Sequence, residues 1–318
     1  MLRYSLNRLL SALPTLLAIS FIIFAILTLA PGDPLGEFAT NPAITPEVRA
    51  NIRRALGLDQ PWPIRYIKWL GSFLHGDLGY SFTSRAPVFD LIRQRLPTTL
   101  WVVGSAYVMS VLIGIPVALI SAFKPNGWLD RGLTTLALLG FSLPTFFTGL
   151  LLIVIFSVEL DWLPFIYDST IKITNWSSFV AQIRQATLPV MALVLYQTAI
   201  LVRFLRNSLL SEMSQSYVLT AQAKGLGELQ TLLIHSFRNA LIPVATLIAL
   251  DIPAIFTGAL VTEQVFRVPG IGALLIDSIQ RSDTPVVMAI TFIYAILIVI
   301  FNLVADLTYG WLDPRVKF

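Results

Sequence analysis

Six long apolar blocks, at 9–30, 98–122, 133–157, 187–206, 239–262 and 285–305, constrain this chain more than any other feature of its sequence. A helix rising about 1.5 Å per residue needs about 20 residues to cross a hydrocarbon core of about 30 Å, and blocks of that scale predict six transmembrane helices. The fourth is the shortest: apolar from Leu188 to Val202, interrupted by Pro189 and Gln197 and closed by Arg203 and Arg206. Taken alone it also reads as a buried helix of a soluble core. The first block follows Arg3 and Arg8 as a secretory signal would, but a signal core is only about 7–15 residues long. It reads as a retained membrane helix.

Composition agrees, with 56% of the 318 residues hydrophobic and 13% charged, against roughly 25% charged in soluble domains. The net charge of +4 is not organised as Lys or Arg runs interleaved with aromatics, which argues against a nucleic-acid partner. The absence of cysteine excludes disulfides, thiolate-bound zinc and thiol chemistry. His75 and His235 stand in different polar segments, so no histidine metal centre is expected.

Lys and Arg near helix ends and in short loops favour the cytoplasmic side. With the N-terminus inside, Arg3, Arg8, Lys124, Arg131, Arg203, Arg206, Lys224, Arg238, Arg315 and Lys317 are cytoplasmic, whereas the two short outer loops carry only Lys172, Arg184, Arg267 and Arg281. Both termini are therefore expected on the cytoplasmic side. Eight further basic residues lie in the segment 31–97, which is too long for the rule to cover. Its Pro and Gly punctuation and an amphipathic stretch around Val48 to Leu56 suggest a small folded cap of short helices on the outer side. Trp62, Tyr66 and Trp69 within it read either as membrane-interface packing, the simpler view, or as substrate contacts.

The inner loop from about Arg203 to Arg238 is longer than an ordinary connection. Tyr217 to Lys224 has helical composition and stops at Gly225-Leu226-Gly227, where glycine permits a sharp turn. Apolar residues at Leu229, Leu232, Leu233, Phe237, Ala240 and Leu241 then define one face of a second helix, expected to lie on the membrane face before Pro243 enters the fifth span. On pattern alone the element either docks a cytoplasmic partner or anchors the bundle at the interface.

These residues resemble a known family. Tyr217-Val-Leu-Thr-Ala-Gln-Ala-Lys-Gly-Leu226 and His235-Ser-Phe-Arg-Asn-Ala-Leu-Ile-Pro243 are similar to the cytoplasmic coupling loop of dipeptide and oligopeptide ABC importer permeases. The likeness extends along nearly the whole chain. It includes Pro31-Gly-Asp-Pro34, Leu56-Gly-Leu-Asp-Gln-Pro61, Gly76-Asp-Leu-Gly-Tyr-Ser81 and Ser142-Leu-Pro144, then Glu263-x-Val-Phe266 with Pro269-Gly-Ile-Gly272, and Leu312-Asp-Pro-Arg315. The broader importer pattern Glu-Ala-Ala is met at Leu219, Thr220 and Ala221 only by the last residue, with Gly225 also matching. The peptide-permease version of the loop fits far better.

The resemblance implies an all-α type I importer subunit with a periplasmic cap at 31–97, a five-helix core at 98–306 containing the coupling loop 207–238, and a tail at 307–318. It also implies a homologous second permease subunit, in a heterodimer, two cytoplasmic ABC ATPases and an extracytoplasmic binding protein. Thr220, Ala221, Ala223, Lys224, Gly225 and Leu226 would couple to the ATPase. No G-x-x-x-x-G-K-[ST] phosphate loop occurs, so this chain needs no cofactor of its own and is not itself an enzyme; ATP and Mg belong to the partners. The family's cargo includes dipeptides, oligopeptides, glutathione and nickel complexes.

Asp251 stands near the middle of the fifth span, where a carboxylate costs about 2.5–3.5 kcal/mol on insertion scales and is expected to face a bundle interior or a water-filled path. It is either a pathway residue or a partner in an internal hydrogen bond near Pro253. Gln197, Ser142 and Pro144 are further pathway candidates, the last pair predicting a kink in the third span. Asp306 reads as interfacial. An ion-gradient-driven secondary transporter would more often show inverted halves, and no convincing repeat relates 9–157 to 187–305. A membrane-embedded hydrolase would carry a motif such as H-E-x-x-H or G-x-S-x-G, and neither is present.

Overall fold

The computed structural model describes residues 2–29, 45–55 and 57–312, and is helical with no strand among them. The segments Pro31–Pro34 and most of Leu312–Arg315 lie outside the described residues. In order the helices are α1 (Leu2–Leu29), α2 (Pro46–Ala55), α3 (Trp62–Leu74), α4 (Val88–Phe123), α5 (Trp128–Ser142), α6 (Thr145–Glu159), α7 (Trp176–Met213), α8 (Ser216–Ala223), α9 (Glu228–Val265, interrupted at Gly258 and Ala259), α10 (Ile271–Gln280) and α11 (Thr284–Leu312). Five of them carry long apolar stretches able to cross a bilayer, and α5 with α6, an apolar pair bent by 102°, makes a sixth if the pair is taken as one span. Helices suit that solvent because they satisfy each backbone amide within the segment.

The fourth apolar block, the shortest in the sequence, belongs to the spine of the bundle. It lies inside the 38-residue α7, whose cap is a reciprocal pair: Ser178 N–H donates to Asn175 Oδ1 at 2.8 Å and Asn175 N–H donates to Ser178 Oγ at 3.0 Å. Against α7 runs α4, with Ala106, Ser110, Gly114, Ala118 and Ala122 buried at every fourth position. Such a stripe of small residues lets two membrane helices approach closely. The fit is tight at Gly114, where a Cβ would lie 2.8 Å from Leu201 Cδ2.

Three departures from the sequence reading have physical causes. The kink expected at Ser142-Leu143-Pro144 is a complete break: Pro144 caps α6, which leaves at 102° to α5. The amphipathic segment from Leu229 does not form a helix separate from the fifth span. It runs through a wide turn at Leu232–Ser236 into the fifth span, and Leu232 and Ala240 are buried against α4 and α7 instead of lipid. Finally, α4 begins at Val88 and passes straight through residue 97, where the sequence suggests the outer segment ends.

The rings of α3 serve packing. Tyr66 meets Phe21 edge-on at 5.6 Å and Phe24 at 5.5 Å, and Trp69 lies 5.5 Å from Phe292 of α11. Ser20 and the Tyr66 hydroxyl share a hydrogen bond of 2.8 Å. Thus α3 is bound to α1 and α11 at the end of the bundle opposite α8. The following loop is tied to the same place by the buried Asp283, whose carboxylate accepts from Ser81 Oγ and from the N–H of Phe82 at 3.0 Å.

Candidate functional site

The turn after α8 is built on one backbone requirement. Gly225 has φ of +90°, its N–H donates to Gln222 O at 2.9 Å, and the N–H of Leu226 reaches back to Ala221 O at 3.3 Å. These paired bonds close the helix through a residue in the left-handed region, which glycine adopts without strain. No heavy atom lies within 4 Å of a Cβ built on Gly225, so the demand is conformational and not one of space.

Behind the turn, α8 is clamped to its neighbours. Val218 and Ala221 are buried. The Tyr217 hydroxyl donates to the Glu212 carboxylate at the end of α7 and accepts from Asn239 Nδ2 of α9 at 2.8 Å. In front, Leu219, Thr220, Gln222, Ala223, Lys224 and Gly225 are exposed. Of the residues singled out in the sequence, Thr220, Ala223, Lys224 and Gly225 share this outward surface, Leu226 is half-buried, and Ala221 points inward. Ala221 therefore supports the element and offers no surface to a partner. Leu219, 58% exposed, was overlooked, although an apolar residue four positions before Ala223 in a polar loop was a visible signal.

Close to this end a second polar cluster fixes α5 to α7. Arg206 donates from Nε to Asp130 Oδ1 and from Nη2 to Oδ2, both at 2.7 Å. Asp130 also accepts from Ser121 Oγ and from the N–H of Asn126, the latter at 2.7 Å. A bidentate pair of this kind is strong and directional.

At mid-bundle the structure brings two of the pathway candidates together. Asp251 and Gln197 line one small cavity of about 40 Å³ with Tyr107 and Ser110. Tyr107 Oη donates to Ile248 O at 3.1 Å, and Ser110 Oγ is 3.4 Å from Gln197 Oε1. Asp251 itself is exposed on the surface of the single chain. Ser142 and Pro144 are not in this cavity; they form the α5–α6 break, beside which Phe141 stacks on Tyr196 at 6.1 Å.

The segment Glu263-x-Val-Phe266 with Pro269-Gly-Ile-Gly272 receives a physical explanation. Glu263, fully buried, accepts from Thr99 Oγ1 at 3.1 Å and from the N–H of Ala273 at 2.9 Å. Its carboxylate therefore sits at the N-terminus of α10, which favours an anion. A Cβ on Gly258 or Gly270 would lie 2.3 Å from Glu263 Oε1, and one on Gly272 would lie 2.9 Å from Oε2. The glycines make room for the carboxylate, and Phe266 is buried against Gly149 of α6.

With this geometry in place, comparisons with known proteins cover the whole chain. Residues 114–318 match the family described as the binding-protein-dependent transport system inner membrane component, and residues 1–103 match the N-terminal membrane component of such systems. A putative peptide permease protein of Brucella suis biovar 1 (strain 1330) is 39% identical over 321 residues, covering 100% of this chain and 99% of that protein. The oligopeptide transport system permease protein AppB of Bacillus subtilis (strain 168) is 38% identical over 319 residues, with both chains covered fully, at 100% each. The glutathione transport system permease protein GsiC of Salmonella paratyphi A is 36% identical over 318 residues, again with 100% of both chains covered.

Proposed function

Because this chain belongs to the family of inner membrane components of binding-protein-dependent transport systems, we propose that it is the permease subunit of an ABC importer and forms half of a translocation pathway for peptides. The names of its relatives, peptide permease, oligopeptide permease and glutathione permease, support a short peptide as cargo. Nickel complexes find no support among those names.

The observation that carries the reading is α8. A short helix held rigidly from behind by Glu212, Tyr217 and Asn239, with its outer face of Leu219, Thr220, Ala223 and Lys224 uncovered, is built to transmit force from a docked protein. Two ATPase subunits supply that protein, one for each permease of a heterodimer, and they hold the ATP and Mg. This chain contributes no hydrolytic chemistry. Movement of α8 is passed to α7 through Glu212 and to α9 through Asn239, the two helices that carry Gln197 and Asp251. An extracytoplasmic binding protein delivers the cargo at the opposite end. The membrane is the bacterial inner membrane, with both termini in the cytoplasm.

Asp251 supports the shared pathway. A carboxylate at mid-span facing lipid would cost about 2.5–3.5 kcal/mol, and on the single chain it is exposed. A second subunit enclosing a wet path relieves that cost and leaves the carboxylate, with Gln197, to meet a peptide ammonium. Ser142 and Pro144 act through the α5–α6 break that shapes the bundle beside it. Co-purification with ATPase subunits together with vanadate-sensitive peptide uptake tests the assignment; uptake driven by an ion gradient through this chain alone would overturn it.

A further inference from the structure

A large cavity lies outside the parts used above, at the end opposite α8, among α1, α2, α3 and α11; its volume is about 740 Å³. One wall is apolar, formed by Phe24, Leu27, Trp69 and Met288. The other carries four cations: Arg53 and Arg54 of α2, and Arg65 and Lys68 of α3. Among the described residues Asp77 is the one acidic side chain lining it, and its Oδ1 accepts the N–H of Gly79 at 2.9 Å.

Its depth follows from the helices that build it. Phe24, Leu27 and Thr28 belong to the last turns of α1's apolar stretch, Leu10–Leu29, and Thr284, Pro285 and Met288 to the first turns of α11. The cavity is thus at a boundary between hydrocarbon and water. Helix α3 confirms this by its three faces. Trp62, Tyr66, Trp69 and Phe73 contact α1, α11 or one another; Arg65, Lys68 and Ser72 face the cavity; Ile64, Ile67 and Leu74, on the third side, are 46%, 68% and 74% exposed. An exposed apolar stripe beside a cationic one is the pattern of a helix lying in the headgroup region. Arg65 is already partly desolvated, its guanidinium 6.0 Å above the Phe24 ring, and that burial pushes its pKa down from the usual value. A nearby anion would offset that penalty.

We propose that this cavity is a binding site for an anionic phospholipid of the surrounding bilayer, its phosphate among Arg53, Arg54, Arg65 and Lys68 and its acyl chains against the partly exposed Leu27 and Trp69. Clustered Lys and Arg at a membrane surface recognise such headgroups. Four of the eight basic residues of segment 31–97, a surplus that membrane orientation does not explain, thereby acquire a role. The inference is independent of the cargo and of the coupling mechanism.

The test uses the full-length chain with its co-purifying subunits in nanodiscs of phosphatidylcholine, with and without phosphatidylglycerol. Phosphatidylglycerol should raise the Tm by about 3 °C or more, and mass spectrometry should show it retained. The shift should vanish in the double variant Arg65→Gln/Lys68→Gln and survive in Arg65→Lys/Lys68→Arg. Should the neutral variant fold poorly, Arg53→Gln/Arg54→Gln reads the same loss from the other helix. An equal shift in the wild type and in the folded neutral variants overturns the proposal. So does a shift reproduced by inorganic phosphate alone, which marks a small-anion site. Loss of binding-protein capture in variants that keep the lipid shift also overturns it, because the cations then serve a protein interface.

Discussion

Arg206 grips Asp130 at both carboxylate oxygens, 2.7 Å from each, although the two residues are 76 positions apart. Asp130 is almost wholly buried, and removing one partner of a buried pair leaves an uncompensated charge costing about 3–5 kcal/mol. Asp130→Ala should therefore lower the unfolding temperature of the purified chain sharply. Asp130→Leu combined with Arg206→Met should recover much of the loss, because an apolar pair leaves no orphan charge. Equal destabilisation by the single and double variants would show that the ion pair is not the cause.

Gly225 gives a prediction that separates backbone from space. Since its φ is +90° and nothing crowds a Cβ there, Gly225→Asn should be tolerated, asparagine being the residue that visits the left-handed region most readily after glycine. Gly225→Val should strain the turn by about 1–2 kcal/mol or more and uncouple ATP hydrolysis from uptake while membrane insertion remains normal. ATPase and transport assays on the two variants distinguish these outcomes.

Glu263 and Gly270 form a complementary pair. Gly270→Ala would place a methyl group 2.3 Å from Glu263 Oε1, and overpacking of this kind costs about 1–3 kcal/mol. The combined variant Glu263→Ala/Gly270→Ala should lose less stability than the sum of the two single changes, since the shortened side chain vacates the space. A double-mutant cycle on thermal stability reads the coupling directly; strict additivity would contradict the cradle.

Asp251→Asn should leave folded yield unchanged and reduce peptide uptake by about tenfold or more, the equivalent of one charged hydrogen bond of about 1.5 kcal/mol. Asp251→Leu should behave likewise. Wild-type uptake by both variants would remove Asp251 from the pathway.

What the sequence made legible follows the reach of its signals. Apolar length announces a candidate span wherever it occurs, so five spans and the apolar α5–α6 pair were visible, as was the glycine-stopped helix before Gly225. A packing partner announces nothing. Arg206 looked like the end of a span, and nothing in the sequence ties it to Asp130. Glu263 and its glycines stood out only by resemblance; their cause is a close approach among residues brought together by the turn between α9 and α10. Leu229 to Leu241 had helical periodicity, but periodicity shows that a face is apolar and not whether lipid or protein covers it. The neighbours Leu232 and Ala240 found were α4 and α7, which lie far away in sequence.

The central claim is that an outside ATPase drives this chain through α8. Its most direct test is uptake of a labelled peptide by proteoliposomes containing the chain, its partner permease, the ATPase subunits and the binding protein. Uptake should require ATP on the ATPase side, stop with vanadate, and fall to background in Gly225→Val while ATP hydrolysis continues. Undiminished uptake by Gly225→Val, or accumulation on an ion gradient without ATP, would contradict it.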